Sequence, residues 1–470
     1  MADSYFNKKE FKDNLNKYEA ARNAGSSVYL EPEELTDIAE YYHSKGQLQQ
    51  AMETIDYAIS VFPGATAPLV FRSRAALLEY GNAEEAEMYA EQIADKADLD
   101  YFYLKAEILI VDNKIQEADD FLKNCYHEID KEEREDFVLD VANMYTDYNL
   151  NDMALLWLQL SEDKESEDYQ EAMGRISIGQ GNYEEGERIF NELLDKNPYD
   201  NIYWNSLASS QYMSNNIQDS ITSSEFSLAI NPDDEEALLN KANGLLSLGN
   251  NEEALEYYQR YSKLCPNDFS GELFQGIALA NLNRSQEAIE HLQQASRLLP
   301  KDSLNHLEIY LHLVFLLSRH IGLDKALEYV DKAEREPNSN QEELMVLRGH
   351  LYAEHGKQKE AAKWFSKAVR HSHENPVIMY KIAISLFESG YLKATYRILK
   401  LIFETAGDDW DTGWSYYAVC CKELNRNEEF MKAVKKAVEL NPQEAKAVLG
   451  DMFPDDLQPK DYYKYLKNKA

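Results

Sequence analysis

The 470-residue chain contains no run of eighteen apolar residues, which excludes an apolar membrane-spanning helix. Its opening, MADSYFNKKEFKDNLNKYEA, lacks the apolar core of a signal peptide, so a cytoplasmic setting is expected. With 19 Gly and 12 Pro, no Ser/Gly-rich or Pro-rich linker occurs, and low-complexity disorder is excluded. Cysteine is scarce: Cys125, Cys265, Cys420 and Cys421 form no CxxC pair and are expected as free thiols. Cations are short as well. Lys and Arg number 48 against 84 Asp and Glu, a formal charge of −36 spread along the chain. Such a charge repels phosphate backbones and anionic membranes, so neither nucleic acid nor membrane is an expected partner. Basic proteins are the better candidates, although acidity also serves solubility.

Catalytic signatures are missing too. There is no GxGxxG after a strand, no Walker loop, no GxSxG and no HExxH. His371 and His373 form an HxH not far in sequence from His350 and His355, but no Cys or carboxylate completes a ligand set at metal spacing. Surface histidines are the reading, and no catalytic residue, metal or cofactor is assigned. Carboxylate pairs such as Glu252-Glu253 and Asp233-Asp234 follow turns, where they complement the positive ends of helix dipoles.

What is present is repetition. Residues 249–268 read GNNEEALEYYQRYSKLCPND, and the same skeleton returns as GKQKEAAKWFSKAV at 356 and GQLQQAMETIDYAISVFP at 46. Each time a Gly precedes an Ala by five residues. Pro198, Pro232, Pro266 and Pro300 fall 34 apart. With Trp204, Ala208, Gly249, Ala254, Tyr258 and Pro266 in place, the chain resembles the tetratricopeptide repeat (TPR) family, an array of helix–turn–helix units. Small residues recur at one point of successive first helices (Ala39, Ala106, Ala142, Ala208, Ala242, Gly276, Gly349, Ala383, Ala418). They recur likewise on second helices (Ala51, Ala86, Ala118, Ala154, Ala254, Ala288, Ala326, Ala361). Two helices approach closely only where no bulky side chain intervenes.

Twelve repeats are expected, beginning near 32, 67, 99, 135, 167, 201, 235, 269, 307, 342, 376 and 411. Gly186, Ser220 and Thr395 replace the second-helix Ala, and KDSLNH lengthens the interval after Pro300. The expected fold is an all-α, right-handed solenoid. Residues 1–31 form an N-terminal helical cap, 32–442 the array, and 443–470 C-terminal capping helices.

The resemblance implies that first helices line a concave surface that binds peptides or helices. Its lining positions in the eighth to eleventh repeats are apolar: Leu273 and Ile277, Leu311 and Phe315, Val346 and His350, then Tyr380, Ile384 and Phe387. An exposed row of this kind implies a partner, unless curvature or the C-terminal cap buries it. In earlier repeats Asn143, Asn205, Asn240 and Asn243 fall on the same face, where amides can grip a peptide backbone. The positions of the family's carboxylate clamp hold Glu40, Glu107, Glu171, Leu239 and Phe274, so that clamp is absent; Arg175 is the only cation suitably placed. Acids at first-helix starts (Glu33, Asp100, Asp136, Asp168, Glu236, Glu308, Glu343) would edge the groove. The last segment, DYYKYLKNKA, is basic and is expected to fold back on that rim or to meet a second copy.

The function that follows is a non-enzymatic scaffold that captures a basic or amphipathic protein segment. The alternative is a self-assembling structural protein that uses the groove and final helix as a homodimer interface.

Overall fold

The computed structural model describes residues 5–6, 8–78, 81–299, 303, 305–407, 410–454 and 457–469. Among these every regular element is helical. The chain forms two compact units, Met1–Gly271 and Glu272–Ala470. In the first, the first helices of seven repeats run Pro32–Ser44, Thr66–Leu78, Leu99–Val111, Arg134–Asp147, Glu167–Gly179, Asn201–Met213 and Glu235–Ser247. Second helices follow each, from Leu48–Val61 to Asn251–Leu264. The remaining first helices are Phe269–Asn281, His306–His320, Gln341–Glu354, Pro376–Glu388 and Trp414–Glu423. Their partners are Ser285–Leu298, Leu323–Ala333, Gln358–His371, Leu392–Thr405 and Asn427–Leu440. The chain is thus an all-α repeat solenoid.

The turn between paired helices needs one residue in the left-handed region. Gly46, Gly81, Gly181, Gly249, Gly322, Gly356 and Gly390 provide it at seven turns, and Asn113, Asn149, Asn215, Asn283 and Asn425 at five. Gly tolerates that conformation without steric cost, and Asn is the side chain that most often does so. This is why the Gly–Ala spacing looks intermittent in the sequence. Asn113 precedes Ala118, and Asn283 precedes Ala288, in the same register as Gly249 and Ala254. Many first helices start on a side-chain cap: Asp98, Ser166, Asp200, Asp234, Asn340 and Asn375 accept from backbone N–H groups of the first turn.

Each pair crosses at its small residues, which are fully buried at Ala39, Ala51, Ala106, Ala142, Ala208, Ala242, Ala254, Ala383 and Ala418. The approach is tight. A Cβ on Gly349 would lie 2.4 Å from Phe365, and one on Gly276 would lie 2.7 Å from Leu292. Where a hydroxyl replaces Ala, it bonds across the crossing. Ser220 Oγ donates to Ala208 O at 2.7 Å, Ser73 Oγ to Ala86 O at 2.7 Å, and Thr395 Oγ1 to Ala383 O at 3.3 Å.

In the first unit, helix Lys9–Ala24 packs through Phe11 and Tyr18 on the first repeat, with Phe6 in the same cluster. Asn267 Nδ2 donates to Gly46 O at 3.2 Å, joining the loop after the seventh repeat to the turn of the first. In the second unit, Ala445 and Leu449 of helix Pro442–Leu449 pack in one core with Ala433, Val434 and Ala437 of the twelfth repeat. The final helix, Pro459–Lys469, rests on these two helices, with Tyr462 stacked on Phe453 at 3.8 Å. Its Lys460, Lys464 and Lys467 are exposed.

Replacing Gly349 with Leu is expected to overpack the crossing against Phe365 and to destabilise the array by about 1–3 kcal/mol. A fall in the urea midpoint checks this. An unchanged midpoint would mean that the pair opens without cost.

Candidate functional site

The apolar row of the second unit divides by exposure. Leu273 and Val346 are buried, because their helices pack closely enough to enclose them. Ile277 and Ile384 are half-buried. Phe315 is open, at 44% exposure. Leu311 and Phe315 line a cavity of about 560 Å³ with Asn305, Leu307, Glu308, His312 and Asn338. Burial holds the His312 imidazole below its ordinary pKa, which favours its neutral form. His350 sits edge-on to Phe315, ring centres 6.3 Å apart, with Nδ1 3.0 Å from Ser385 Oγ.

The far end of the row is covered by the chain itself. Tyr380 donates its hydroxyl to Glu444 Oε2 at 3.2 Å and meets Trp410 edge-on at 6.1 Å. Phe387 meets Tyr416 edge-on at 5.1 Å. The same Glu444 carboxylate accepts Gly413 N–H at 2.9 Å and Ser415 N–H at 3.2 Å, anchoring the start of Trp414–Glu423. No sequence motif announces this contact, since Tyr380 and Glu444 lie 64 residues apart.

The asparagines of the first unit hold its own repeats together. Asn143 Oδ1 accepts from Arg175 at 3.2 Å, and Asn205 Nδ2 donates to Asp234 Oδ1 at 2.8 Å. Asn240 Nδ2 donates to Ser209 Oγ at 3.2 Å, and Asn243 Oδ1 accepts from Tyr258 at 2.7 Å. Asn205 Oδ1 alone among these has no partner, although the residue is 3% exposed.

The sequence names these acids but not their surroundings. Glu40, Asp100, Glu171 and Glu236 stand on the first, third, fifth and seventh first helices, and none forms an ion pair among the described residues. All four carboxyls are pushed up, chiefly by desolvation and further by nearby acids, while Arg74 beside Glu40 and Asp100 and Arg175 beside Glu171 and Glu236 partly offset the shift. Glu40, Asp100 and Glu236 still expose surface to solvent, so surrounding protein crowds them without sealing them. Glu40 and Asp100 line one cavity of about 380 Å³ with His43 and Arg74. The neighbouring cations are engaged elsewhere. Arg74 pairs with both oxygens of Glu107 at 2.9 and 3.1 Å, and Arg175 reaches Asp147 at 2.6 Å.

The histidines are dispersed. His371 pairs with Glu342 at 2.7 Å, and His355 lies 3.0 Å from Ser318 Oγ. No helix among the described residues is long and apolar enough to cross a membrane.

Family models described as tetratricopeptide repeat match residues 239–303 and 417–444. No curated protein matches the sequence. Among solved structures, MamA from Desulfovibrio magneticus RS-1 is 20% identical over 36% of this chain and 96% of its own, at a TM-score of 0.34. The Cut9–Hcn1 APC/C hetero-tetramer is 14% identical over 95% and 94%, at 0.37. PilF of Pseudomonas aeruginosa is 18% identical over 44% and 92%, at 0.37. None of these likenesses carries a partner to this chain.

Two outcomes follow from the geometry. Glu444→Ala should release Gly413 and Ser415 N–H and the Tyr380 hydroxyl, costing about 1–3 kcal/mol. Faster amide exchange at 410–417 is the readout, and unchanged exchange would show the anchor to be dispensable. Glu171 is raised above its unfolded pKa, so its contribution favours folding below that pKa and opposes it as pH rises through the folded value. Glu171→Gln should therefore raise the melting temperature at pH 7, with the gain shrinking toward pH 4. A loss at pH 7 would assign Glu171 a stabilising partner.

Proposed function

We propose, from the premise that the chain is a tetratricopeptide repeat protein, that it is a non-catalytic cytoplasmic scaffold capturing a basic, amphipathic segment of another protein. One observation carries the reading: Phe315 stands open over a cavity walled by Leu307 and Leu311, with Glu308 at its edge. An apolar anchor placed there buries surface on both sides, worth roughly 1.5–3 kcal/mol for one large side chain. The surrounding negative charge attracts a basic partner and speeds its arrival, more so at low salt. The stretch of the row that carries the binding is then Leu311, Phe315 and His350, with Ile277 and Ile384 flanking in sequence. Tyr380 and Phe387 serve the C-terminal helices.

The test is affinity capture with the tagged full chain from its native lysate, at low and high salt, beside a Leu311→Asp/Phe315→Asp variant whose helicity is checked by circular dichroism. A basic protein that co-elutes at low salt and is lost with both salt and the variant supports the reading. Retention by the variant refutes it. Recovery of the bait's own copies alone assigns the face to a homodimer.

A further inference from the structure

Cations are scarce in this chain, and the second unit gathers them on two neighbouring second helices. Gln358–His371 carries Lys359, Lys363, Lys367 and Arg370 against a single acid, Glu360. Leu392–Thr405 carries Lys393, Arg397 and Lys400 against Glu404 alone. The other ten second helices are acidic or neutral in formal charge. Lys359, Lys363, Lys393 and Arg397 are exposed, and none forms an ion pair among the described residues.

Between these two helices lies an apolar groove of about 400 Å³. Ile382 and Leu386 of Pro376–Glu388 line it, with Phe365 on one wall and Ile398 on the other. One residue keeps it open. The position after the small crossing residue of a second helix holds Leu255, Ile289, Leu327, Tyr396 and Val434 in the seventh, eighth, ninth, eleventh and twelfth repeats. Such a side chain bridges to the next repeat: Tyr396 stacks on Tyr417 at 5.1 Å and donates to Glu429 at 2.7 Å. The tenth repeat has Ala362 there, which is exposed and leaves the gap unfilled. The cations stand along the rims. Lys359 lies three residues before Ala362 and Arg397 three after Ala394, one turn along from the alanine that lines each wall.

We propose that this groove docks an acidic amphipathic helix of another protein, at a surface separate from the cavity beside Phe315. The apolar stripe of that helix covers Phe365, Leu386 and Ile398, and its Glu and Asp side chains meet the basic rims. A helix fits better than an extended segment. The walls and floor are themselves helices whose interior N–H and C=O groups are already paired, so an extended backbone would find no partners there. Each wall is 14 residues long, about 21 Å, which matches roughly four turns of a docked helix. The chain's own acidity does not forbid an acidic partner. Charges beyond about 8–10 Å are largely screened at physiological salt, whereas the rim cations act at contact. A second copy is disfavoured, because two bodies of charge −36 repel over their whole surfaces.

The test is fluorescence anisotropy of the full chain with a labelled peptide of about 16 residues, with Leu at i, i+3, i+4 and i+7 spacing and Glu elsewhere. It should bind at least about tenfold tighter than a scrambled peptide of the same composition, and than one with Lys for Glu. Ala362→Leu restores the size found in other repeats and should weaken binding at least about tenfold, with helicity unchanged. Lys363→Gln/Arg397→Gln should weaken it about fivefold and flatten its salt dependence, whereas Lys432→Gln/Lys436→Gln on the next second helix should change it less than about twofold. Leu311→Asp/Phe315→Asp should leave it unaltered, so that this groove and the Phe315 cavity stand or fall separately. Equal binding of the ordered and scrambled peptides would overturn the proposal, as would full binding by the Ala362→Leu variant. Two further results would reassign the groove and so also overturn it. One is a dimer in sedimentation velocity that Ala362→Leu abolishes, and the other is displacement of the peptide by phosphatidylserine vesicles.

Discussion

Everything in this molecule rests on the close crossing of two helices at a pair of small residues. Where Gly349 faces Phe365 there is no room for a single further carbon. Where Ser73, Ser220 or Thr395 stands at the crossing, the hydroxyl reaches the partner's carbonyl directly. That bond is possible because the backbones have already met, and it satisfies a polar group that would otherwise be buried unpaired. Gly, Ala, Ser and Thr therefore all serve at this point, the hydroxyl residues through that bond, whereas a Leu there would overpack the crossing. Large side chains fill the space around it, so Tyr145, Tyr258 and Phe190 are among the most deeply buried. One constraint of size, applied again and again, generates the array.

This is also why the fold was legible. The small residues, the turn and the caps are local requirements within one repeat, so they leave a period in the sequence. The left-handed turn residue reads as a motif where it is Gly249 or Gly356, and hides where it is Asn113 or Asn215. The binding face is a different matter. Whether Leu273 or Phe315 is open depends on how successive repeats lean on one another, and no single repeat encodes that. Val346 and His350 are four residues apart on one helix, yet one is enclosed and the other half-buried. Tyr380 is covered by Trp410 and bonded to Glu444 from the far side of a repeat, and Gly46 meets Asn267 across 221 residues. Periodicity is blind to such contacts.

Charge shows the same split. A total of −36 says that acids exceed bases, not where the excess is felt. On second helices, i,i+3 and i,i+4 partners such as Arg284 with Glu287 and Arg426 with Glu429 use up much of it locally. Such exposed pairs contribute little each, about 0–1 kcal/mol, but they cancel the field around them. On the first helices of the first unit the hydrogen-bonding atoms of Arg74 and Arg175 go to Glu107 and Asp147, leaving Glu40, Asp100, Glu171 and Glu236 with no direct ion pair among the described residues. An even distribution along the sequence thus becomes an uneven one in space.

A basic, amphipathic partner would bring two kinds of physics to such a surface. Acids met by a basic segment govern how fast a complex forms, and they lose their hold as salt rises. An aromatic anchor over an apolar cavity governs how long the complex lasts, and it is nearly indifferent to salt. A protein carrying both a basic stretch and an amphipathic stretch would engage the acids and the anchor separately, and joining the two in one chain turns the second contact into an intramolecular one. The gain is then set by the length of the stretch between them rather than by any new contact.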